Sequence, residues 1–247
     1  MYKYHIEGGY DMKLFCVHYA GGSATAFQFL SKILPAELEV ISIELPGRGK
    51  RNASKLILNF EDACMDLVTI IKKRVDKEEK FSLLGHSMGS LLSYEIAHLL
   101  QKEKYSLSHI FLTGTKLPYQ FENKSLIEVS KRNEEVIDRI TKLGGTPSEL
   151  LEHPYFLKMY LPVIKADFHL IGSYKYKRKR KLDIPITIIN GKNDPLANND
   201  LGKWLQLTSN KVEVLTVDGG HFFLNEQKEF LSKSICLNLK REVSICK

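Results

Sequence analysis

Ser87 sits at the centre of GHSMG, residues 85–89, where the apolar run FSLLG gives way at once to MGSLLSYEIAHLL. Composition alone produces a Gly-x-Ser-x-Gly in about one chain of this length in twelve, so its surroundings must carry the signal. A strand that turns sharply into a helix lifts a serine hydroxyl above the edge of a sheet. Small residues on either side let the backbone make that turn. The helix N-terminus behind Ser87 brings partial positive charge and free N–H groups to the place where an oxyanion forms.

A serine hydroxyl is a poor nucleophile at neutral pH. It needs a base, and the base needs a carboxylate to fix its tautomer. After a strand–turn–helix of this kind the chain order is Ser, acid, His. PITIINGKNDPL runs from a strand into a loop with Asp194, and VEVLTVDGGHFFLNE runs from a strand into a loop with His221. Both loops leave the C-terminal ends of their strands, the edge that holds Ser87. Ser87 is therefore read as nucleophile, His221 as base and Asp194 as the acid that orients it. Three rivals are weaker. His86 adjoins Ser87, but neighbouring side chains diverge on a sharp turn, so it is expected to pack nearby. Asp218 reads as a turn residue or a competing acid, and Asp167 as a surface residue or lid contact.

The second oxyanion donor is expected from the loop after the first strand, HYAGGSATAF, residues 18–27. Gly21 and Gly22 allow that loop to turn N–H groups inward. The expected donors are the backbone N–H groups of Ala20 and Met88. The loop has neither GxGxxG nor GxxxxGK[ST], which weakens a phosphate-loop reading.

Short β-rich runs alternate with helical patterns. The strands are LFCV (14–17), EVISIEL (39–45), FSLLG (81–85), HIFLTG (109–114), PITIING (185–191) and VEVLTVD (212–218). The helices are ATAFQFLSKIL (24–34), FEDACMDLVTIIKKRV (60–75), MGSLLSYEIAHLLQK (88–102) and NEQKEFLSKSICLNL (225–239). Continuous apolar strands suit a mostly parallel sheet covered on both faces, in one α/β domain over residues 1–247. Residues 118–174 break the rhythm with helical patterns and no strand. VIDRITKLGG ends on a glycine stop. TPSELLEH opens with Thr146 as N-cap, Pro147 first in the helix and Glu149 placed for a capping box. YFLKMYLPVIKADFHLIGSY contains Pro162, where a break or kink is expected. Such an insertion lies over the ligand-binding edge of the sheet and reads equally as a lid or as an ordinary helical excursion packed on the sheet.

The bulk numbers narrow the class. Of 247 residues, 43% are hydrophobic and 26% charged, which suits a packed globular domain. No stretch approaches the ~20 apolar residues of a membrane span. The N-terminus lacks the apolar core of a signal peptide, so a cytoplasmic location is expected. Cys16, Cys64, Cys236 and Cys246 show no metal spacing and read as reduced thiols. The net charge is +7, with much of the excess in KYKRKRK, residues 175–181. That run reads first as a solvated loop. No helix-turn-helix, RNA-binding or zinc pattern accompanies it, which argues against nucleic acid. No coiled coil is visible, and a monomer is expected.

Six motifs occur together and in order: HYAGGSA, ELPGRGKR, GHSMG, LPVIKADF, GKNDPL and GGHFFL. Together they resemble the type II thioesterases, the stand-alone α/β-hydrolases that accompany nonribosomal peptide and polyketide synthases. The animal medium-chain acyl thioesterases are similar. AGGS with PGRG is the specific part; GxSxG marks only the superfamily. The resemblance implies an α/β-hydrolase fold with a helical lid. It also implies attack by Ser87 on an acyl thioester held on the phosphopantetheine arm of a carrier domain, with no cofactor of the enzyme's own. The family's usual task is editing, the removal of wrong or stalled acyl groups. Where the family often carries proline, this chain has His18. Carrier domains are generally acidic, so the basic run is expected to help dock them. A carboxylesterase with the same triad and a catalytically silent binding protein are the competing classes.

Overall fold

A strand that is apolar at successive positions must be covered on both faces. The computed structural model, which describes residues 12–244, meets that need with two cores. In β1 (Met12–Val17), Phe15 and Val17 face one core while Leu14 and Cys16 face the other, and all four are fully buried. The remaining strands are β2 (Leu38–Ile43), β3 (Phe81–His86), β4 (Leu107–Thr113), β5 (Ile186–Gly191) and β6 (Val212–Val217). They form one sheet in the order β2-β1-β3-β4-β5-β6, and every neighbouring pair is parallel. All six expected strands are present.

The chain leaves β1 for β2 on one side, then returns to place β3 on the other. The C-terminal ends of β1 and β3 therefore flank the point where strand order reverses, the usual ligand crevice of such sheets.

Helices follow in chain order as α1 (Leu30–Ile33), α2 (Phe60–Lys72), α3 (Met88–Lys102), α4 (Ser125–Lys131), α5 (Asn133–Leu143), α6 (Ser148–Leu151), α7 (Pro154–Ser173), α8 (Leu201–Trp204) and α9 (Lys228–Ser244). Apolar side chains of α2, α3 and α7 fill one core, and those of α1 and α9 fill the other. On α9 the buried residues Leu231, Ile235 and Leu239 fall at helical spacing, and burying each contributes about 1.5–3 kcal/mol.

Two expectations are corrected. Residues 24–34 are not one helix. A 3-10 turn over Ala24–Phe27, capped by Ser23, precedes the short α1. Phe27 and Leu30 are both fully buried, and a three-residue period puts such a pair on one face. Pro162 does not break α7, which runs through it for 20 residues. Proline forfeits one helical hydrogen bond there, but Leu161, Ile164 and Phe168 anchor the helix on both sides of the gap. The glycine stop after α5 is as expected, with Gly144 at φ 73°. α6 starts at Ser148, and the Leu150 and Leu151 N–H groups donate to the Pro147 carbonyl. Cys16, Cys64 and Cys236 are buried; Cys246 lies outside the described residues. Among those residues, no helix is long and apolar enough to cross a membrane.

Candidate active site

Ser87 joins β3 to α3 with φ 55° and ψ −113°, a backbone conformation rare for any residue but glycine. Its neighbours make the turn possible. A Cβ on Gly85 would lie 2.1 Å from the Gly89 carbonyl oxygen, and one on Gly89 would lie 2.0 Å from that of Val17. The two glycines thus let α3 pack directly on β3 and β1. The strained turn is held by hydrogen bonds. Ser87 N–H donates to the Thr113 carbonyl at 2.9 Å, and Thr113 Oγ1 donates to the Gly85 carbonyl at 2.8 Å. Ser90 Oγ lies 2.8 Å from the carbonyls of both Gly85 and Thr113 and accepts from Thr113 N–H.

The three sequence-predicted side chains converge above this turn. His221 Nε2 lies 2.9 Å from Ser87 Oγ, and His221 Nδ1 lies 2.8 Å from Asp194 Oδ2. Asp194 can only accept, so Nδ1 carries the proton. Nε2 is then the lone pair that meets the serine hydroxyl. Asp194 Oδ1 accepts from Leu196 N–H at 2.9 Å, which fixes the carboxylate. The two loops are tied together by Lys192 N–H to Val217 and Asn193 N–H to Gly219. Both side chains are buried, away from competing water.

The rivals fall elsewhere. His86 Nδ1–H donates to Thr113 Oγ1, because that hydroxyl gives its own proton to Gly85. The His86 ring packs among Tyr19, Phe222 and Phe223. Burial, then the nearby His221, hold its pKa well below the ordinary histidine value. Asp218 is exposed and pairs with Lys192.

Asp167 corrects the sequence reading. It is neither a surface residue nor a simple lid contact, being fully buried on α7. Its carboxylate takes a two-pronged ion pair from Arg48, at 2.6 and 2.7 Å. Its Oδ2 also accepts from Gly21 N–H at 2.7 Å, and Arg48 reaches the Gly22 carbonyl at 3.3 Å. The pair therefore grips the glycine loop from both sides. Glu44 adds a third hold, accepting from Ala24 N–H at 2.8 Å. His18 adds a fourth: its Nδ1–H donates to the Tyr19 carbonyl and its Nε2 accepts from Leu45 N–H. Burial, then Arg48, lower the His18 pKa to about 4, so the ring is neutral at pH 7. A bonded imidazole stiffens the loop at this position.

Within the loop so held, Ala20 N–H meets no acceptor among the described residues, and neither does Met88 N–H at the start of α3. Ala20 and Ser87 line one cavity of about 80 Å³. Its far wall comes from the helical insertion: Phe121, Leu126 of α4, Ile140 of α5 and Phe168 of α7. A larger cavity of about 310 Å³ lies on the other side of Leu143, His221 and Phe222, and Glu226 lines it. The site thus sets a serine hydroxyl against an imidazole of fixed tautomer, near two N–H groups with no acceptor among the described residues and beside a chamber of mostly apolar side chains. That set suits acyl transfer through a tetrahedral intermediate.

The basic run lies apart from the cavity. Lys177 pairs with Glu61, Lys179 with Glu95, and Gln101 bonds the Lys181 carbonyl. Gln101 is in the last turn of α3, which at 1.5 Å per residue is roughly 20 Å from Ser87.

The whole described core of the chain, residues 12–239, matches the thioesterase domain family. The chain belongs to that family. Gramicidin S biosynthesis protein GrsT of Aneurinibacillus migulanus is 33% identical over 243 residues, which span 96% of this chain and 92% of that protein. The medium-chain S-acyl fatty acid synthase thioesterase of Rattus norvegicus is 30% identical over 238 residues, or 92% of this chain and 88% of the other. Among solved structures, the type II thioesterase BorB from the borrelidin biosynthetic cluster is similar at a TM-score of 0.83 and 26% identity, covering 96% of each chain. Membership of the thioesterase family makes the chain a hydrolase of acyl thioesters.

Asp167 had a readable signal. Asp167 falls in the apolar stripe of α7 with Ile164, Phe168 and Ile171. A carboxylate in a buried stripe needs a buried cation, and PGRG supplies the arginine.

Proposed function

We propose that this thioesterase releases acyl groups from the phosphopantetheine arm of carrier domains in nonribosomal peptide or polyketide synthesis, as a type II editing enzyme. Ser87 Oγ attacks the thioester carbonyl carbon while His221 Nε2 takes its proton. Asp194 stabilises the imidazolium that results. The N–H groups of Ala20 and Met88 bind the oxyanion. The intermediate collapses with the carbon–sulfur bond breaking, and His221 gives its proton to the leaving thiolate. Water, deprotonated by His221, then attacks the acyl-serine and frees the acid. The observation that carries this reading is the Ser87–His221–Asp194 chain of hydrogen bonds at 2.9 and 2.8 Å, with Ala20 lining the same cavity as Ser87 and His221.

Every group the reaction uses comes from one copy of the chain. The reading asks for no cofactor beyond the arm that the substrate brings, fits a monomer, and suits the cytoplasmic location expected from the sequence. The insertion of residues 118–174 acts as the lid that shapes the acyl chamber. Support for the carrier-bound substrate comes from relatives such as GrsT, whose name places it in gramicidin S biosynthesis.

The test is a release assay on one short acyl group offered as acyl-carrier protein, small thioester and aryl ester, with Ser87→Ala as control. Preference for the carrier-bound thioester, lost in the control, is the expected result. Equal or better turnover of the aryl ester would replace the reading with a general esterase.

A further inference from the structure

Two cations line the chamber that holds Ser87, and the mechanism above uses neither. Lys116 follows β4 and Arg139 lies on α5; both face the cavity shared with Ser87 and His221. Among the described residues, no carboxylate pairs with either of them, although most of the other buried or half-buried cations here have partners. Lys116 instead places its ammonium 5.0 Å from the centre of the Phe121 ring. Its position is fixed by the backbone beside it. Asn190 accepts from Thr115 N–H at 2.7 Å and donates to the Thr115 carbonyl at 3.1 Å. Both side chains line the same small chamber, and burial, then Arg139, lower the Lys116 pKa. Two like charges held together in a half-buried chamber repel each other and cost stability. A substrate anion between them relieves that cost.

We infer that Lys116 and Arg139 form an oxyanion-binding subsite for the substrate, and that the thioesters this enzyme favours carry a carboxylate or phosphate there. This rests on the thioesterase reading and adds a charge preference to it. Two sources offer such an anion: a carboxylate on the acyl group, or the phosphate of the arm. The geometry favours the acyl group. The arm's phosphate is a full pantetheine length from its sulfur, longer than a chamber of about 80 Å³ can span. The larger cavity on the other side of His221 suits the arm, and there the charged lining residue is an acid, Glu226.

The test compares three small thioesters: butyryl-pantetheine, succinyl-pantetheine and butyryl-phosphopantetheine. Each is measured on wild type, on Lys116→Met with Arg139→Gln, and on Lys116→Arg. The readout is the ratio of kcat/KM for each charged substrate to that of neutral butyryl-pantetheine. The subsite predicts a ratio at least tenfold lower in the double variant, carried by KM, and largely restored charge recognition in Lys116→Arg. A fall for the succinyl substrate places the anion on the acyl group; a fall for the phosphorylated one alone keeps the subsite and moves its ligand to the arm. Unchanged ratios for both charged substrates overturn the inference, as does an equal loss on all three substrates. Failure of wild type to hydrolyse any of the three would instead count against the thioesterase reading itself.

Discussion

Arg48 and Asp167 are separated by 119 positions in the chain and meet as a buried, two-pronged ion pair whose carboxylate also holds Gly21 N–H. The pair therefore has two roles, one in stability and one in the shape of the oxyanion loop, and these roles can be separated. Removing one member leaves a buried charge alone, which costs about 3 kcal/mol or more, whereas replacing both with apolar groups is often near neutral. Arg48→Met is expected to lower Tm by roughly 6–12 °C. Arg48→Met with Asp167→Leu should recover much of that loss, yet keep a reduced kcat, because Gly21 N–H has lost its acceptor. Thermal unfolding and kcat on a small thioester, measured on the same preparations, check the split. Full recovery of kcat in the double variant would show that the pair does not shape the loop.

Gly89 has no room for a side chain. A methyl group there would sit 2.0 Å from the Val17 carbonyl oxygen, a backbone atom of a central strand that cannot rotate away. Gly89→Ala should cost about 3 kcal/mol or more, at or above the upper range for overpacking. The displaced helix should also move Met88 N–H. The expected result is a lower Tm together with slower labelling of Ser87 by a fluorophosphonate probe. A variant with wild-type Tm and labelling rate would contradict it.

His109 gives stability a definite pH dependence. It is buried on β4, stacked on Phe111, with Nε2 bonded to Thr187 and Nδ1 without a partner among the described residues. Burial, then Lys211, lower its pKa to about 3 from the ordinary 6.5. Between those values the unfolded chain binds a proton that the folded chain refuses. The stabilisation is therefore complete above pH 6.5 and is lost as pH falls toward 3, with a slope of at most about 1.4 kcal/mol per pH unit for one group. Urea unfolding of His109→Gln at pH 7, 5.5 and 4.5 should show a shallower decline than wild type. Parallel declines would mean that His109 titrates normally in the fold.

Steering of an acidic carrier is tested best at exposed cations of the basic run that pair with no carboxylate among the described residues. Lys177 and Lys179 are already paired with Glu61 and Glu95, so Arg178 and Arg180 are the residues to change. Arg178→Gln with Arg180→Gln is expected to lower kcat/KM several-fold on carrier-bound substrate at low salt and much less at high salt. Small thioesters, which need no docking, should be hydrolysed as by wild type. A salt-independent result on the carrier would return the run to a solvated strap along α3.

The strands and the triad were legible for a shared physical reason. Parallel strands buried on both faces read as unbroken apolar runs, and their C-terminal loops carry the chemistry. Asp194 and His221 could therefore be placed from strand ends alone. Arg48 and Asp167 could not be paired that way. Their bond is tertiary, and nothing local marks Arg48 as buried. Pro162 shows the opposite case: the local rule predicted a break or a kink, and the helix runs on through it with Leu161, Ile164 and Phe168 buried. The short helix at Leu30–Ile33 also departs from its local pattern, since burial of Phe27 and Leu30 together set the winding.

The anchoring of α7 divides the insertion into a fixed part and a replaceable one. Its C-terminal half, from Leu161 on, is buried against the core and holds the glycine loop through Asp167, while Tyr155, Met159 and Tyr160 nearer its start are exposed. Residues 122–153 supply Leu126, Arg139 and Ile140 to the chamber wall and take no part in the bonds that hold the oxyanion loop. That wall is shared with Phe121 and with Phe168 of α7, so residues 122–153 supply part of the chamber and none of the bonds that hold the loop. A lineage, or an engineer, can exchange that stretch between relatives and change what the enzyme removes without rebuilding how it removes it.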